Sequence, residues 1–129
     1  MKYSNSQYIG KLGEDIASRY LLNRGFDVLC RNYRKKYGEI DIIGIDSSSN
    51  QHEKVLAFIE VKTRKSNSFG SPLEAITPWK LKSLIKAAQF YKLIHPNLPD
   101  SMRVDAVAVT LGINNKVGNI ELIKNISGF

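Results

Sequence analysis

The chain has few cysteines, few histidines and no long hydrophobic run. Its 129 residues include one cysteine, Cys30, which excludes an internal disulfide. The two histidines lie in sequence typical of loops or helix ends, without a metal-ligand partner at a useful spacing, which argues against a histidine-based metal site. No apolar stretch approaches the length of a membrane span, and the start of the chain lacks the apolar core of a signal peptide. We therefore expect a cytoplasmic protein that does not enter the membrane.

Acidic residues are outnumbered by basic ones. The chain has 19 lysines and arginines against 12 aspartates and glutamates, so its formal net charge is +7. This excess favours an anionic partner, with nucleic acid first and an anionic membrane surface second. The length and the 43% content of hydrophobic residues fit a single globular domain over residues 1–129.

Helix and strand signals alternate along the chain. Apolar residues at helical spacing predict a first helix over about residues 5–24, and Thr77 with Pro78 predicts the start of a second helix that ends near Ile94. Strand signals fall at residues 26–34, 38–44, 55–62, 103–111 and 119–126. The order α-β-β-β-α-β-β predicts an α/β fold in which helices flank a mixed β-sheet.

Three local features add further expectations. The polar residues 46–51 predict a hairpin connection, so the second and third strands should be adjacent and antiparallel. Residues 63–72 are polar, basic and punctuated by glycine and proline, which predicts a loop that starts directly after the third strand. Trp79, in the first turn of the second helix, is interpreted as a packing residue rather than a base-stacking one.

Charged side chains interrupt the second and third strands. Asp41 lies in the second strand, and Glu60 and Lys62 lie in the third. Charged residues are depleted in strands, and such breaks of pattern are expected at functional sites. Because side chains alternate along a strand, Glu60 and Lys62 should share one face. The same alternation predicts that Ile40 and Ile42 lie together, opposite Asp41.

These side chains suit metal-assisted hydrolysis. Carboxylates on neighbouring strands, from Asp41 and Glu60, offer the hard oxygen ligands that Mg²⁺ and Mn²⁺ prefer. Lys62 could orient a water molecule or accept its proton. A metal ion with a positioned water can cut a phosphodiester. The competing interpretation is a solvated edge hairpin with cross-strand ion pairs, which these three residues taken alone favour.

Basic residues flank the charged strands. Arg31 and Arg34 precede the second strand beside two tyrosines, and Arg64 and Lys65 follow the third. This pattern is typical of phosphate contacts with aromatic support. Lys80, in the first turn of the second helix, could face either way and joins this set of predicted nucleic-acid-binding residues. The competing interpretation is a solvated surface.

The motifs together resemble the YraN-like family, small bacterial proteins assigned to the PD-(D/E)xK nuclease superfamily. The resemblance covers about residues 8–110. It departs at Val104, where phenylalanine is usual between the arginine and the aspartate. The matching stretches are Gly10–Ala17, Arg31–Arg34, Gly38–Ile43, Phe58–Arg64, Gly70–Pro72, Lys80 and Arg103–Asp105.

The resemblance implies a restriction-endonuclease-like core and roles for particular residues. Asp41 and Glu60 would hold a divalent cation, Mg²⁺ or Mn²⁺, and Lys62 would be the catalytic lysine. Glu14 would be an accessory acidic ligand that reaches the site from the first helix. The main-chain carbonyl of Val61 would complete the metal shell.

The function expected from these features is a metal-dependent endonuclease that hydrolyses phosphodiesters in DNA, including branched or repair and recombination intermediates. Two alternatives remain open. One is a nucleic-acid-binding module that keeps the nuclease fold without cutting, and the other is an adaptor for a DNA-processing partner. A junction-cutting activity would need two active sites and therefore a homodimer.

Overall fold

A computed structural model of the protein describes residues 5–49, 53–66 and 70–127. The helices and strands are α1 (Asn5–Leu22), β1 (Phe26–Lys35), β2 (Gly38–Asp46), β3 (Val55–Lys65), α2 (Pro78–Ile94), β4 (Met102–Leu111) and β5 (Val117–Ile123). This is the predicted order of elements. None of the helices in these described ranges is long and apolar enough to cross a membrane.

The five strands form one mixed sheet in the order β1-β2-β3-β4-β5. Neighbouring strands are antiparallel except for β3 and β4, which are parallel and are connected through α2. A parallel pair needs such a crossover connection, whereas antiparallel neighbours can be joined by short turns. The predicted α/β class with a mixed sheet flanked by helices is confirmed.

Each face of the sheet carries one helix and one hydrophobic cluster. The cluster under α1 contains Ala17, Leu21, Phe26, Ile42, Ala57, Ile59, Val107, Val109 and Leu111. The cluster under α2 contains Ile40, Ile43, Leu56, Phe58, Leu84, Ala87, Ala88, Tyr91 and Val104. Residues of β3 therefore alternate strictly between the two helices, and Glu60 falls in phase with the α2 side.

The third strand is longer than predicted. The expectation of a loop from residue 63 is wrong, because β3 continues to Lys65. Thr63, Arg64 and Lys65 pair with residues of β4, whose apolar side chains are buried. Thr63 itself favours strands, and pairing with a buried neighbour holds the charged Arg64 and Lys65 in the strand as well. Residues 67–69 of the predicted loop, and residues 50–52 of the β2–β3 connection, lie outside the described residues.

Strand β2 changes face at Asp41. The expectation that Ile40 and Ile42 share a face is wrong, since Ile40 lies under α2 and Ile42 under α1. In the register between β1 and β2, Asp41 passes beside Asn32, whose φ of +54° is left-handed. Asparagine tolerates this conformation better than most residues. The regular pleat is interrupted there, and the strand alternation rule fails at that point.

Trp79 does not pack in the core. The interpretation of Trp79 as a packing residue is wrong, because 81% of it is exposed. The helix buries Leu84 and Tyr91 on its inner side. Trp79 lies five residues before Leu84, about 140° around the helix from it, and so points outward.

Candidate functional site

The site forms where β2 and β3 separate. Backbone pairing between these strands ends at Ile42 and Ile59. One residue further, the Oδ2 atom of Asp41 accepts a hydrogen bond of 2.8 Å from the main-chain N–H of Val61. The Asp41 side chain thus satisfies a donor that has lost its strand partner, and this bond fixes the carboxylate beside the start of the Glu60–Lys62 segment.

Glu60 is a buried carboxyl group next to Asp41. It is 4% exposed, and its side chain lies within hydrogen-bonding reach of the Asp41 carboxyl. The Nζ atom of Lys80, from the first turn of α2, lies 3.5 Å from Glu60 Oε2. At that length the contact is an ion pair rather than a hydrogen bond. Within the described ranges, the buried Oε2 atom has no hydrogen-bond donor.

The surroundings of Glu60 favour its protonated form. Burial, followed by the hydrogen bond and the charge of Asp41, raises the pKa of Glu60 to about 8, although Lys80 and Lys62 act in the opposite direction. Two adjacent carboxylates in a desolvated place cannot both ionise at low cost. The pair therefore retains a proton at neutral pH unless a cation compensates the second negative charge.

A second group of buried carboxylates, Asp46 and Asp105, has its negative charge compensated by neighbouring cations. Arg103 donates to both oxygens of Asp105 and to Asp46, at 2.7–2.8 Å, and Lys124 lies 3.2 Å from Asp46. Burial opposes ionisation of Asp46, but hydrogen bonds from Ser48 and Arg103 lower the pKa of its carboxyl well below the usual range. These acids are structural. Glu60 differs because its burial is not matched by donors.

The Asp41–Glu60 pair fits a hard divalent cation. The buried Glu60 Oε2 atom, which has the Lys80 ion pair but no hydrogen-bond donor in the described ranges, and the elevated pKa of Glu60 both indicate a place suited to positive charge. In the part of the chain that the structure describes, there is no cluster of three or more His, Cys, Asp or Glu residues that could hold a metal ion. Mg²⁺ does not require one, since it commonly binds one or two carboxylates and keeps several waters.

Glu14 lies in the same cleft but not in the acidic pair. It is 8% exposed on α1, and its Oε1 atom accepts hydrogen bonds from Arg31 Nε at 3.0 Å and Asn32 Nδ2 at 2.9 Å. Its role as a metal ligand stays a prediction, and its Oε1 atom already accepts from these two donors. It helps to fix the β1 segment that borders Asp41.

A cleft of about 750 Å³ opens in front of these side chains. Glu14, Asp41, Val61 and Lys62 line it, so the structure brings most of the predicted site residues to one cleft, but the buried Glu60 is not among its lining residues. A volume of this size is typical of ligand-binding clefts. Sequence reasoning missed Lys11, which also lines the cleft. Its place beside Gly10, within the stretch Gly10–Ala17, is the signal that could have identified it.

The predicted phosphate-binding residues occupy different environments. Arg34 lines the cleft and is largely exposed, with its Nε atom 4.0 Å from Glu39. The other four have partners within the chain: Arg31 pairs with Glu14 and Asp15, Arg64 donates to the carbonyl of Gly70, Lys65 donates to Asn115, and Lys80 pairs with Glu60. Binding of nucleic acid by these residues stays a prediction, with Arg34 the most accessible of the set.

Gly13 sets how closely α1 approaches the site. A Cβ atom at Gly13 would lie 1.7 Å from Oγ1 of Thr63 on β3, whereas a Cβ at Gly10 would meet nothing within 4 Å. The glycine therefore allows direct contact between the helix and the strand that carries Glu60 and Lys62. This contact also places the adjacent Glu14 in the cleft.

We expect Gly13→Ala to destabilise the protein by about 2 kcal/mol, because the helix must move away from Thr63. Gly10→Ala, the matched control on the same helix, should stabilise by up to about 1 kcal/mol through higher helix propensity. Urea unfolding measures both effects. Equal effects of the two substitutions would contradict the close approach, and partial rescue of Gly13→Ala by Thr63→Ala would support it.

Sequence comparisons identify a protein family and related proteins that this chain matches. The sequence profile of the uncharacterised protein family UPF0102 matches residues 13–109. A UPF0102 protein of Chlorobium phaeobacteroides is 44% identical over 101 residues, which cover 78% of this chain and 75% of that protein. A UPF0102 protein of Clostridium kluyveri is 40% identical over 123 residues, which cover 95% and 96% of the two chains. These matches confirm the resemblance to the YraN-like family.

A comparison of structures gives a weaker likeness. A repair endonuclease from Pyrococcus abyssi aligns with a TM-score of 0.40 and 12% sequence identity, covering 89% of this chain and 42% of that one. The chain therefore spans about two fifths of the length of that protein. At this score, the likeness adds no weight to any assignment of function.

Proposed function

The chain belongs to the uncharacterised protein family UPF0102, and we propose that it is a metal-dependent endonuclease that hydrolyses phosphodiester bonds in DNA. The observation that carries this proposal is the Asp41–Glu60 pair. Burying a carboxyl oxygen without a hydrogen-bond donor, next to a second carboxyl group, lowers the stability of the folded protein. Such an arrangement is expected where it serves a function. A bound divalent cation would remove that loss of stability.

Each residue of the site has a role that follows from its position. The Val61 N–H holds the Asp41 carboxylate in place, and the Val61 carbonyl is available as a further oxygen ligand. Asp41 and Glu60 would hold Mg²⁺ or Mn²⁺, which when bound neutralises phosphate charge and acidifies a coordinated water. Glu60 would release its proton to solvent if a cation were bound there, since the second negative charge would then be compensated.

Lysine side chains supply the remaining functions. Lys62 lines the cleft two residues beyond Glu60, where its ammonium group can orient the attacking water and neutralise charge on the transferred phosphate. Lys80 stands beside Glu60 and balances the acidic pair in the absence of a cation. Arg34 is exposed along the cleft and is placed to contact a neighbouring phosphate, which would position DNA without reading its sequence.

A cleavage assay tests this proposal. The wild-type protein should cut linear, nicked or branched DNA in Mg²⁺ or Mn²⁺, and not in EDTA. Lys62→Met should slow cleavage by about 100-fold or more, as expected for a group that positions or activates the water. Lys116→Met, which removes one exposed lysine that does not line the cleft, is the matched control and should cut at close to the wild-type rate.

The alternatives predict different results from the same assay. Salt-sensitive DNA binding without metal-dependent cutting would favour the non-catalytic binding module. A stable protein partner in the absence of DNA affinity would favour the adaptor. Equal cleavage by the wild type and Lys62→Met would show that any nuclease activity resides elsewhere, and the assignment of the site would be lost.

A further inference from the structure

Trp79 is a large aromatic side chain that the proposed chemistry leaves unused. Its exposed fraction, 81%, is high for an indole, which usually buries most of its surface in the fold. Thr77 caps the helix, with its Oγ1 atom accepting from the Lys80 N–H at 3.1 Å, and Pro78 begins the first turn. The backbone that carries Trp79 is therefore held in a defined position.

Trp79 lies at the margin of the acidic pair. The next residue, Lys80, places its ammonium group 3.5 Å from Glu60 Oε2. Trp79 precedes Lys80 in the first turn of α2, so its backbone lies at the end of the helix from which Lys80 reaches Glu60, while the indole turns outward. A DNA strand bound at the Asp41–Glu60 pair would reach this ring by extending over the Lys80 side chain and that end of the helix.

The surroundings of Trp79 are cationic. Helix α2 carries four lysines and no aspartate or glutamate. Lys82 and Lys86 are exposed and follow Trp79 by three and seven residues, which places them on its side of the helix. Ser83, on the same side, donates a 2.9 Å hydrogen bond to the carbonyl of Tyr37, in the turn that follows the exposed Lys35 and Lys36.

The exposed indole and the lysines of α2 together favour one class of binding partner. An exposed aromatic among lysines is complementary to a polyanion that also offers flat aromatic groups, which describes nucleic acid. A protein partner would be expected to meet an apolar patch, whereas the exposed residues on the same side of α2 as Trp79 include Lys82 and Lys86.

We propose that Trp79 stacks on an unpaired base of DNA that is bound at the Asp41–Glu60 pair. The inference rests on the proposed function and deepens it by naming a substrate class: DNA with single-stranded nucleotides at an overhang, flap or branch point. Bases inside a duplex are stacked on their neighbours and do not offer a free face to a protein side chain. Stacking on a single indole tolerates any base, so it selects for unpaired structure rather than sequence.

Because Trp79 is the only tryptophan in the sequence, its fluorescence reports directly on this contact. The full chain is titrated in EDTA, which prevents cutting, with a single-stranded oligonucleotide, a blunt duplex and a duplex with an overhang. Binding is followed independently by the anisotropy of a dye on the DNA. We expect the single-stranded and overhang probes to quench Trp79 and the blunt duplex to leave it nearly unchanged.

Substitution supplies the second measurement. Trp79→Ala should weaken binding of the single-stranded and overhang probes by about 5- to 100-fold, the range for loss of one stacked base, and change duplex binding by less than about twofold. Trp79→Phe should restore part of the difference. Leu93→Ala, which removes another exposed apolar side chain of α2, is the matched control and should bind all three probes as the wild type does.

Equal affinity of wild type and Trp79→Ala for all three probes would overturn the inference, and so would absence of quenching when anisotropy shows binding. Neither result would contradict the proposed endonuclease activity, provided that cleavage still depends on Lys62. Conversely, quenching and a Trp79-dependent preference without any metal-dependent cutting would support the stacking contact and remove the proposed reaction. A second copy of the chain or another protein that masks Trp79 in the absence of DNA would also contradict the inference.

Discussion

Asp41→Asn is expected to lower the rate of metal-dependent DNA cleavage by at least about 10³-fold. The substitution keeps the size of the side chain and leaves an oxygen that can accept from the Val61 N–H, but it removes a negative charge from the cation site. Loss of one carboxylate ligand of two weakens cation binding and the stabilisation of charge in the transition state. A change of several kcal/mol in that stabilisation corresponds to this factor.

The control for Asp41→Asn is Glu39→Gln, which removes a carboxylate from the same strand. Glu39 is largely exposed, and its one ion pair, to Arg34, has a separation of 4.0 Å. Exposed pairs of this kind contribute little to stability. Cleavage by Glu39→Gln should therefore remain within a few-fold of the wild type. Cleavage by Asp41→Asn at the same rate as Glu39→Gln would contradict the role of Asp41.

The second large effect concerns stability. Without a divalent cation, the free energy of unfolding should fall as pH rises from about 5 to about 8. Glu60 has a folded-state pKa of about 8 against an ordinary value of 4.5, so between these values the folded protein holds a proton that the unfolded chain releases. Stability declines wherever the folded state binds more protons. The upper limit of the loss is about 5 kcal/mol, and relaxation of the site should reduce it to roughly 2–3 kcal/mol.

Glu60→Gln separates this effect from other titrations. The amide cannot ionise, so urea unfolding of the variant should show a much flatter dependence on pH over the same interval, and the variant should be more stable than the wild type at pH 8. Asp46 does not interfere, because its lowered pKa places its contribution at more acidic pH. Parallel pH profiles for the wild type and Glu60→Gln would show that Glu60 does not hold a proton in the folded state.

Sequence reasoning reached the fold because local signals agreed with tertiary structure in most elements. Thr77 and Pro78 do begin the second helix, and the polar connection does join an antiparallel pair. The antiparallel pair also brings Asp41 beside the Glu60–Lys62 segment, although the alternation of strand residues predicted around Asp41 fails. Each of these inferences depends on a pattern within a few residues of the chain.

The wrong predictions have a common cause, because contacts with residues distant in sequence determined the local structure. Thr63 continues a strand because β4 pairs with it, although its neighbours are typical of a loop. Ile40 and Ile42 lie on opposite faces because β2 is irregular beside the left-handed Asn32. Trp79 is exposed because the side of α2 that packs on the sheet carries Leu84 and Tyr91, and Trp79 lies on the other side of the helix. None of these contacts can be deduced from residue type alone.

The contacts of Glu14 were not accessible from the sequence. The resemblance implied that Glu14 joins the cation site, which stays a prediction, and the structure adds hydrogen bonds from Arg31 and Asn32 of β1 to its Oε1 atom. The close contact of Gly13 with Thr63 holds this glutamate in the cleft that Asp41 also lines. These contacts depend on how α1 packs on the sheet, which no local pattern in the sequence specifies.

The most direct test of the account is calorimetric titration of Mn²⁺ into the wild-type protein and Glu60→Gln at neutral pH, in buffers with different heats of ionisation. We expect the wild type to bind one cation and to release a proton as Glu60 ionises, so that the observed heat depends on the buffer. Glu60→Gln should bind much more weakly and release no proton. Absence of binding to the wild type, or identical binding with the same proton release by both proteins, would contradict the Asp41–Glu60 cation site.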